Sequence, residues 1–463
     1  MRFTISFLIL LLILLSALLA GCGLTPQSGL APATPEISVD LPATPPIEPE
    51  HLPVTDAVPP ATQVVEPSPP TQATATGEAA PATQLPLHVV YIKDGDLYLW
   101  IEETGISQLL ASGNVIEAWL SDDAQMIAFI RQVGDFQSEI WAINTDGTGE
   151  HRLVSAADVE TMLVDRSPDA SGVSPHQVTW IPGTHILAFN TRQSFMVGFL
   201  LNDDLRMVDA GTGETRTLLP PGQGGMFTYS LEGSRIAITT PDKLFLVDAD
   251  GSNRSPDLLN FSEVITSSEY RYYPEPAWTS DSSALLIAIP PQDPLAARDQ
   301  LTYLWRIPAD GGQAVQIGGV PATFFGGGVF FSPDRNQLIY QREVGQPQDN
   351  LRELHLAQAD LSSDEVLFTA PLLLFQSWAG DSHHYFFSTG NEMQTQIGEP
   401  GGTVRPILPE GGRLINLQPV GADRFLYLRD QGANWEFGLA DLSGQRQVID
   451  QISGFPVSFD HVQ

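Results

Sequence analysis

A short pattern recurs along most of this chain: an aromatic residue, a polar turn, then an apolar run. It reads AWLSDDAQMIAFIRQ at 118–132, TWIPGTHILAFNTRQ at 179–193, TYSLEGSRIAITTPD at 228–242, AWTSDSSALLIAIPP at 277–291, FFSPDRNQLIYQREV at 330–344 and SWAGDSHHYFFSTGN at 377–391. The aromatic anchors are Trp119, Trp180, Tyr229, Trp278, Phe331 and Trp378, spaced 61, 49, 49, 53 and 47 residues apart. A weaker copy without the aromatic, LQPVGADRFLYLRD, occupies 417–430. A repeat with a period near fifty residues belongs to arrays in which one supersecondary unit is stacked many times.

Each unit has a second half. SEIWAINTDGTGEHRLV (138–154), DLRMVDAGTGETRTLL (204–219), DKLFLVDADGSNRSPDLL (242–259) and TYLWRIPADGGQAVQI (302–317) each read as strand, glycine-containing turn, strand. GDLYLWIEETGISQLL (95–110) and FGLADLSGQRQVI (437–449) are further copies. Gly147, Gly251 and Gly311, each after an aspartate, supply the positive φ that hairpin turns require. No 3.6-residue periodicity is sustained after residue 86, so the texture is all-β.

One unit therefore holds four antiparallel strands in about fifty residues, which is a propeller blade. A lone sheet of this kind exposes two apolar faces. A closed ring packs both faces of every blade and has no end blade to cap. The first unit, 87–112, lacks the leading strand, and the last residues, GFPVSFDHVQ at 454–463, supply one with Phe459 in the aromatic place. The expected fold is an all-β propeller of four-stranded blades, closed by a C-terminal strand that joins the first blade. Counting anchors gives eight blades. Seven is the alternative, because the units at Trp378 and Gln418 are short and poorly marked.

The pattern W-S-x-D, then IAF, then IW-I-N and DG-T, resembles the TolB-type propeller repeat, also termed the WD40-like β-propeller repeat. The matching residues are Trp119, Ser121, Asp122, 127–129, 140–144, Asp146 and Gly147, with 331–334 and 278–281 matching the start. The resemblance covers about 87–463 and implies a fold more than a function. Proteins of this kind include periplasmic scaffolds and the propeller domains of prolyl-oligopeptidase-type peptidases. This chain departs from TolB in lacking an evident N-terminal α/β domain and in having more than six units.

The only cysteine, Cys22, follows the apolar run FLILLLILLSALLA at 7–20. That run is short for a membrane-spanning helix and suits a signal-peptide core behind the positive Arg2. Residues 19–22, LAGC, resemble the lipobox of bacterial lipoproteins, which implies that Cys22 becomes an acylated N-terminus. Two or three acyl chains anchor stably where one is marginal. Residues 23–86 are rich in Pro, Ala and Thr, with no Lys, Arg or aromatic residue. Such a segment buries too little to offset its ordering entropy and reads as a disordered tether. The expected organisation is a signal peptide at 1–22, the tether at 23–86 and the propeller at 87–463.

With 55 acidic and 22 basic residues, the formal net charge is −33. Nucleic acid needs a basic footprint and is excluded as a partner. A second, polybasic contact with lipid is excluded in the same way, so the expected membrane contact is through the N-terminal lipid alone. An acylated Cys22 leaves no thiol for zinc or for nucleophilic catalysis.

The sequence carries few catalytic patterns. No Gly-x-Ser-x-Gly elbow is present, and no room remains for a hydrolase domain beside the propeller. His-Glu-x-x-His is absent. His383 and His384 sit at a turn into a strand. Asp122, Asp281, Asp334 and Asp381 recur at one place in the repeat and read as turn caps. Asp146, Asp250 and Asp310 lack the twelfth-position Glu of a calcium loop. The glycine run of FFGGGVFF, 324–331, has no Lys or helix after it and reads as a chain crossing near the ring axis.

No catalytic, cofactor-binding or metal-binding residue is assigned; the one assigned modification site is Cys22. The expected protein is a monomeric, lipid-anchored propeller in the cell envelope, outside the cytoplasm, that binds a protein partner or a cell-envelope glycan without catalysis. The insertions at 155–177 and 290–301 are the candidate contact surface. The alternative is a glycan-binding or glycan-cleaving propeller with carboxylates at the central funnel.

Overall fold

The computed structural model describes residues 85–163, 165–266, 270–295, 299–324, 328–454 and 458–463. Cys22 and residues 23–84 of the tether lie outside the described residues, as do 325–327 of the glycine run.

The strands pair into eight separate antiparallel sheets, seven of them built from strands consecutive in sequence. The chain is an eight-bladed β-propeller. Blade 1 holds His88–Lys93, Asp96–Ile101 and Ile106–Ala111; blade 2 begins at Val115–Leu120 and ends at His151–Val154. Blade 3 runs from Gly172–Trp180 to Thr215–Leu219, blade 4 from Met226–Tyr229 to Leu259–Asn260 and blade 5 from Ala277–Trp278 to Val315–Val320. Blades 6, 7 and 8 begin at Val329–Phe331, Leu374–Trp378 and Leu414–Val420. Blade 3 departs from the four-strand plan: a short fifth strand, Phe199–Leu201, pairs with the upper part of Ile186–Ser194.

The ring closes as the repeat count requires. Phe459–Val462 pairs antiparallel with His88–Lys93, with Phe459 opposite Tyr91 and Val462 opposite His88. The last strand thus becomes the first strand of blade 1.

The second and third strands read as continuous apolar runs because their two faces serve two different cores. In blade 4, Ile236, Ile238, Phe245 and Val247 pack with blade 3, while Ala237, Leu244 and Leu246 pack with blade 5. Among the described residues eight such cores are found, one for each pair of adjacent blades; Leu426, Leu428 and Phe437 of blade 8 meet Leu87, Val89 and Tyr91 of blade 1. Each buried Leu, Ile or Phe contributes about 1.5–3 kcal/mol, so the blade interfaces carry the fold.

First strands line the axis, where neighbours reach one another directly. The indole N–H of Trp180 donates to the Trp119 carbonyl at 3.1 Å, Trp278 to Thr228 at 3.3 Å and Trp378 to Phe330 at 3.0 Å. Each pair joins the first strands of adjacent blades. Gln418 of blade 8 reaches the opposite way round the ring, donating its side-chain amide to the Phe459 carbonyl of blade 1 at 3.1 Å.

These contacts correct the repeat register in blade 2. Trp180, Tyr229, Trp278, Phe331 and Trp378 all pack toward the preceding blade. In blade 2 that place belongs to Leu120, which packs with blade 1, whereas Trp119 faces blade 3. With a period of two, a one-residue shift reverses the face. The equivalent turn carboxylate is correspondingly Asp123, not Asp122.

Candidate functional site

A meander alternates strand direction, so its connections fall at two ends of the blade. First-to-second and third-to-fourth connections leave one end. Second-to-third connections, and the links to the next blade, leave the other.

The first end is built from short, repeated turns. The amides of Ser121, Ser230, Thr279, Ser332 and Ala379 each donate to a carbonyl five residues on, at 2.8–2.9 Å. A residue with positive φ closes each turn: Ala124, Gly233, Ser282, Arg335 and Ser382. Asp123, Asp281, Asp334 and Asp381 accept the amide two residues ahead, at 2.9–3.1 Å. Hydroxyl and amide donors hold the exposed Asp281 carboxyl down to about 2. The Asp-Gly hairpins behave alike: Asp146, Asp250 and Asp310 accept from Thr148, Ser252 and Gly312 at 2.9 Å. The longer link 249–258 folds back onto its own sheet, with Ser255 donating to Leu246 and Leu258 to Leu244.

His383 and His384 stand at this end. Asp381 accepts from both of their amides and from His384 Nδ1 at 2.6 Å, and Glu399 lies 3.5–3.6 Å from both Nε2 atoms. Among the described residues no group of three or more His, Cys, Asp or Glu is arranged to hold a metal ion.

The second end carries the long excursions: 155–171, 195–204, 261–276 and 290–301. The first, part of the expected contact surface at 155–177, is at least partly exposed along most of its described length but anchored to the ring. Ser155 and Asp158 cap each other's backbone and start the helix Ala156–Thr161, a reciprocal box. Its Val159 is fully buried in the core between blades 2 and 3. Residues 172–177 are already strand. The 290–301 link stays at the surface, with 296–298 outside the described residues.

The dominant feature was not foreseen: a strap between blades 4 and 5, described at 261–266 and 270–276. It reaches back to blade 3, where the Tyr273 hydroxyl donates to Asp203 Oδ1 at 2.8 Å and Tyr270 stands edge-on to Phe199 at 6.1 Å. It reaches forward to blade 6, where Tyr272 meets Phe324 edge-on at 5.0 Å. The Ile265 amide donates to the Gln292 carbonyl at 2.7 Å, tying the strap to the 290–301 link. An open cavity of about 370 Å³ lies between the two, lined by 263–266, Tyr270, Arg271 and Gln292. The signal was present in the sequence: EYRYYPEP, 269–276, places three of the ten tyrosines within four residues outside any strand.

Toward the axis, beside the strap, charged and aromatic groups converge. Arg192 Nε donates to Ser174 Oγ at 3.3 Å, its Nη1 lies 3.3 Å from His176 Nδ1, and its guanidinium lies 4.8 Å from the Phe199 ring centre. His176 also packs on Phe199 at 4.9 Å. Enclosure and the Arg192 charge drive the His176 imidazole down to about 3, so it is neutral and accepts at Nδ1. Glu117, on the first strand of blade 2, is pushed up to about 7 by enclosure, with Arg192 pulling it down. Burial likewise raises Glu275, and raises Asp203 to about 6 against the Tyr273 hydrogen bond. This arrangement can hold a ligand that offers an anionic group to Arg192 and apolar surface to the rings.

No protein-family model matches the sequence, and no curated protein matches it. Solved structures with similar folds include a dipeptidyl peptidase 4 from Porphyromonas gingivalis, with TM-score 0.49, 11% identity, and coverage of 72% of this chain and 53% of that one. The β-propeller domain of the Trilobed protease from Pyrococcus furiosus gives 0.44, 10%, 73% and 95%. A putative TolB from Agrobacterium tumefaciens gives 0.34, 13%, 54% and 89%. Peptidases and a TolB thus sit side by side at this level of similarity, and a function is not read from it.

Proposed function

We propose that this protein is a non-catalytic binding module, a propeller carried outside the cytoplasm on acyl chains at Cys22 and a tether at 23–86, which engages a protein partner through its long-loop end. One observation carries this reading. The longest links leave the same end of the ring and are stitched together across blades 3 to 6 by Asp203–Tyr273, Phe199–Tyr270 and Tyr272–Phe324. Among the described residues the most exposed large apolar side chains, Met196 (84%), Leu295 (77%) and Val197 (75%), stand on the same end. Exposed apolar groups beside a structured loop cluster mark an interaction site.

The test is an in-cell crosslink with an affinity tag inside 23–86, which leaves the C-terminal strand untouched. A partner identified by mass spectrometry is lost on replacing Met196 and Val197 with Asp and retained on replacing Leu231 with Asp at the opposite end. Retention in both variants overturns the assignment of the face.

A second reading, glycan binding or cleavage, draws support from Glu117, an axial carboxyl raised to about 7, a range suited to proton transfer. Enrichment of envelope glycan in place of a protein, with loss on Glu117→Gln, selects it.

A further inference from the structure

Arg192 stands out among the groups at the long-loop end. No carboxylate of the described residues lies within ion-pair distance of it; the Glu117 carboxyl, which its charge pulls down, stands further off. Ser174, the neutral His176 and the Phe199 ring instead fix the guanidinium plane through Nε, Nη1 and one face. A fork immobilised in this way retains N–H groups at Nη1 and Nη2 that no described residue accepts, and guanidinium geometry matches a carboxylate with two parallel bonds.

The surroundings narrow what brings that carboxylate. Phe199 lies against Arg192, His176 and the edge of Tyr270, which makes a rigid aromatic wall. The hairpin that carries Phe199 ends in Met196 and Val197, and the strap and the link beyond it carry the exposed Ile265 and Leu295. The most exposed side chains at these lips are apolar and suit apolar side chains better than a ring of sugar hydroxyls. The net charge of −33 repels a ligand with many anionic groups and draws in a cationic one. A single carboxylate, next to apolar side chains, on an otherwise neutral or basic body describes the end of a polypeptide.

Building on the binding-module reading, we propose that Arg192 receives the C-terminal carboxylate of a partner protein, with the partner's last apolar side chains lying between the Phe199 hairpin and the strap. The recognition is of a chain end with an apolar last pair of residues, on a partner of neutral or positive charge.

The experiment uses the folded chain with two sets of fluorescent octapeptides. Both sets are lysine-containing in the first half and carry Leu, Val or Phe in the last two places; one set ends in a free acid, the other in an amide. The free acids bind about tenfold or more tightly than their amides, as a lost charge-assisted pair of hydrogen bonds requires. Arg192→Gln removes that ratio, and Arg192→Lys restores only part of it. Met196→Ser together with Val197→Ser weakens acid and amide alike. Equal affinity for acid and amide in the unmodified chain, an acid preference that survives Arg192→Gln, or failure of both sets to bind overturns the proposal. The acid-to-amide ratio of the unmodified chain needs no variant to fold. If the peptides fail while the crosslinked partner still depends on Met196 and Val197, the chain-end proposal falls and the binding module stands.

Discussion

Asp450 and Tyr91 are 359 residues apart in sequence, yet the Tyr91 hydroxyl donates to Asp450 Oδ2 at 2.8 Å. Lys93 Nζ donates to the other oxygen of the same carboxylate, also at 2.8 Å. Blade 8 and blade 1 are thus joined twice: by this three-residue contact and, nearer the axis, by the strand Phe459–Val462. The two locks differ in kind. Asp450 is partly solvated, so its ion pair is a weak one, whereas Phe459 is 1% exposed and belongs to the core between the two blades.

Phe459→Ala should therefore cost about 3–5 kcal/mol, the range for emptying a buried aromatic site, and Asp450→Ala about 1 kcal/mol. Urea unfolding followed by tryptophan fluorescence measures both. A cost for Asp450→Ala equal to that of Phe459→Ala would place closure in the side-chain lock instead.

The corrected register of blade 2 makes a second prediction. Leu120→Ala should destabilise by about 2–5 kcal/mol, like a core leucine. Trp378→Phe should cost about 1 kcal/mol through loss of the indole bond to the Phe330 carbonyl. Trp119 is half-buried, and its carbonyl, not its indole, serves the Trp180 bond. Trp119→Phe should fall below Trp378→Phe in the same urea series.

Asp203 gives a pH dependence of unusual sign. Burial raises its carboxyl to about 6, above the ordinary range of an aspartate. A carboxyl raised in the folded state binds its proton more tightly there than in the unfolded chain. Stability from this group is fullest below about pH 4 and is lost as pH rises through about 6. Asp203→Asn keeps an acceptor for Tyr273 and suits the residue's positive φ of 49°. The variant should gain on the order of 2 kcal/mol over the unmodified chain at pH 7 and nothing at pH 4. A gain that is flat with pH would refute the assignment.

For the anchor, Cys22→Ala should release the protein from the membrane fraction and abolish incorporation of labelled palmitate. Loss of both follows from dual or triple acylation at one residue. Membrane retention in the variant would move the anchoring to another segment.

Much of the ring was legible because its turns repeat. Asp281, Asp334 and Asp381 announce the same cap at the same place, and Phe459 gives the closing strand away by standing where an anchor stands. Trp119 misled because it is followed by Leu120: two adjacent apolar residues both find a core in a blade packed on two sides, and the larger one drew the alignment. Ser155 and Asp158 are a capping pair that sequence alone offers, but an aspartate at the third position is a weaker cue than glutamate. The strap was illegible for a different reason. Tyr273 and Asp203 are 70 residues apart, and their meeting depends on where blade 3 sits once the ring has closed. Arg192, likewise, becomes notable only because no carboxylate of the described residues closes on it, although Glu117 of the neighbouring blade feels its charge, and no reading of neighbours along the chain shows that.

The antiparallel pairing of His88–Lys93 with Phe459–Val462 has a mechanical meaning. Val462 lies opposite His88, so the first and last described strands start and finish at the same corner of blade 1. Tension that pulls the two chain ends apart peels this pairing open one residue at a time, beginning at His88 and Val462, and does not shear all four pairs at once. The blade cores carry none of that load until Phe459 has left its socket. The ring is built to fail at a seam, which a relaxed chain can close again with seven blades still folded to guide it.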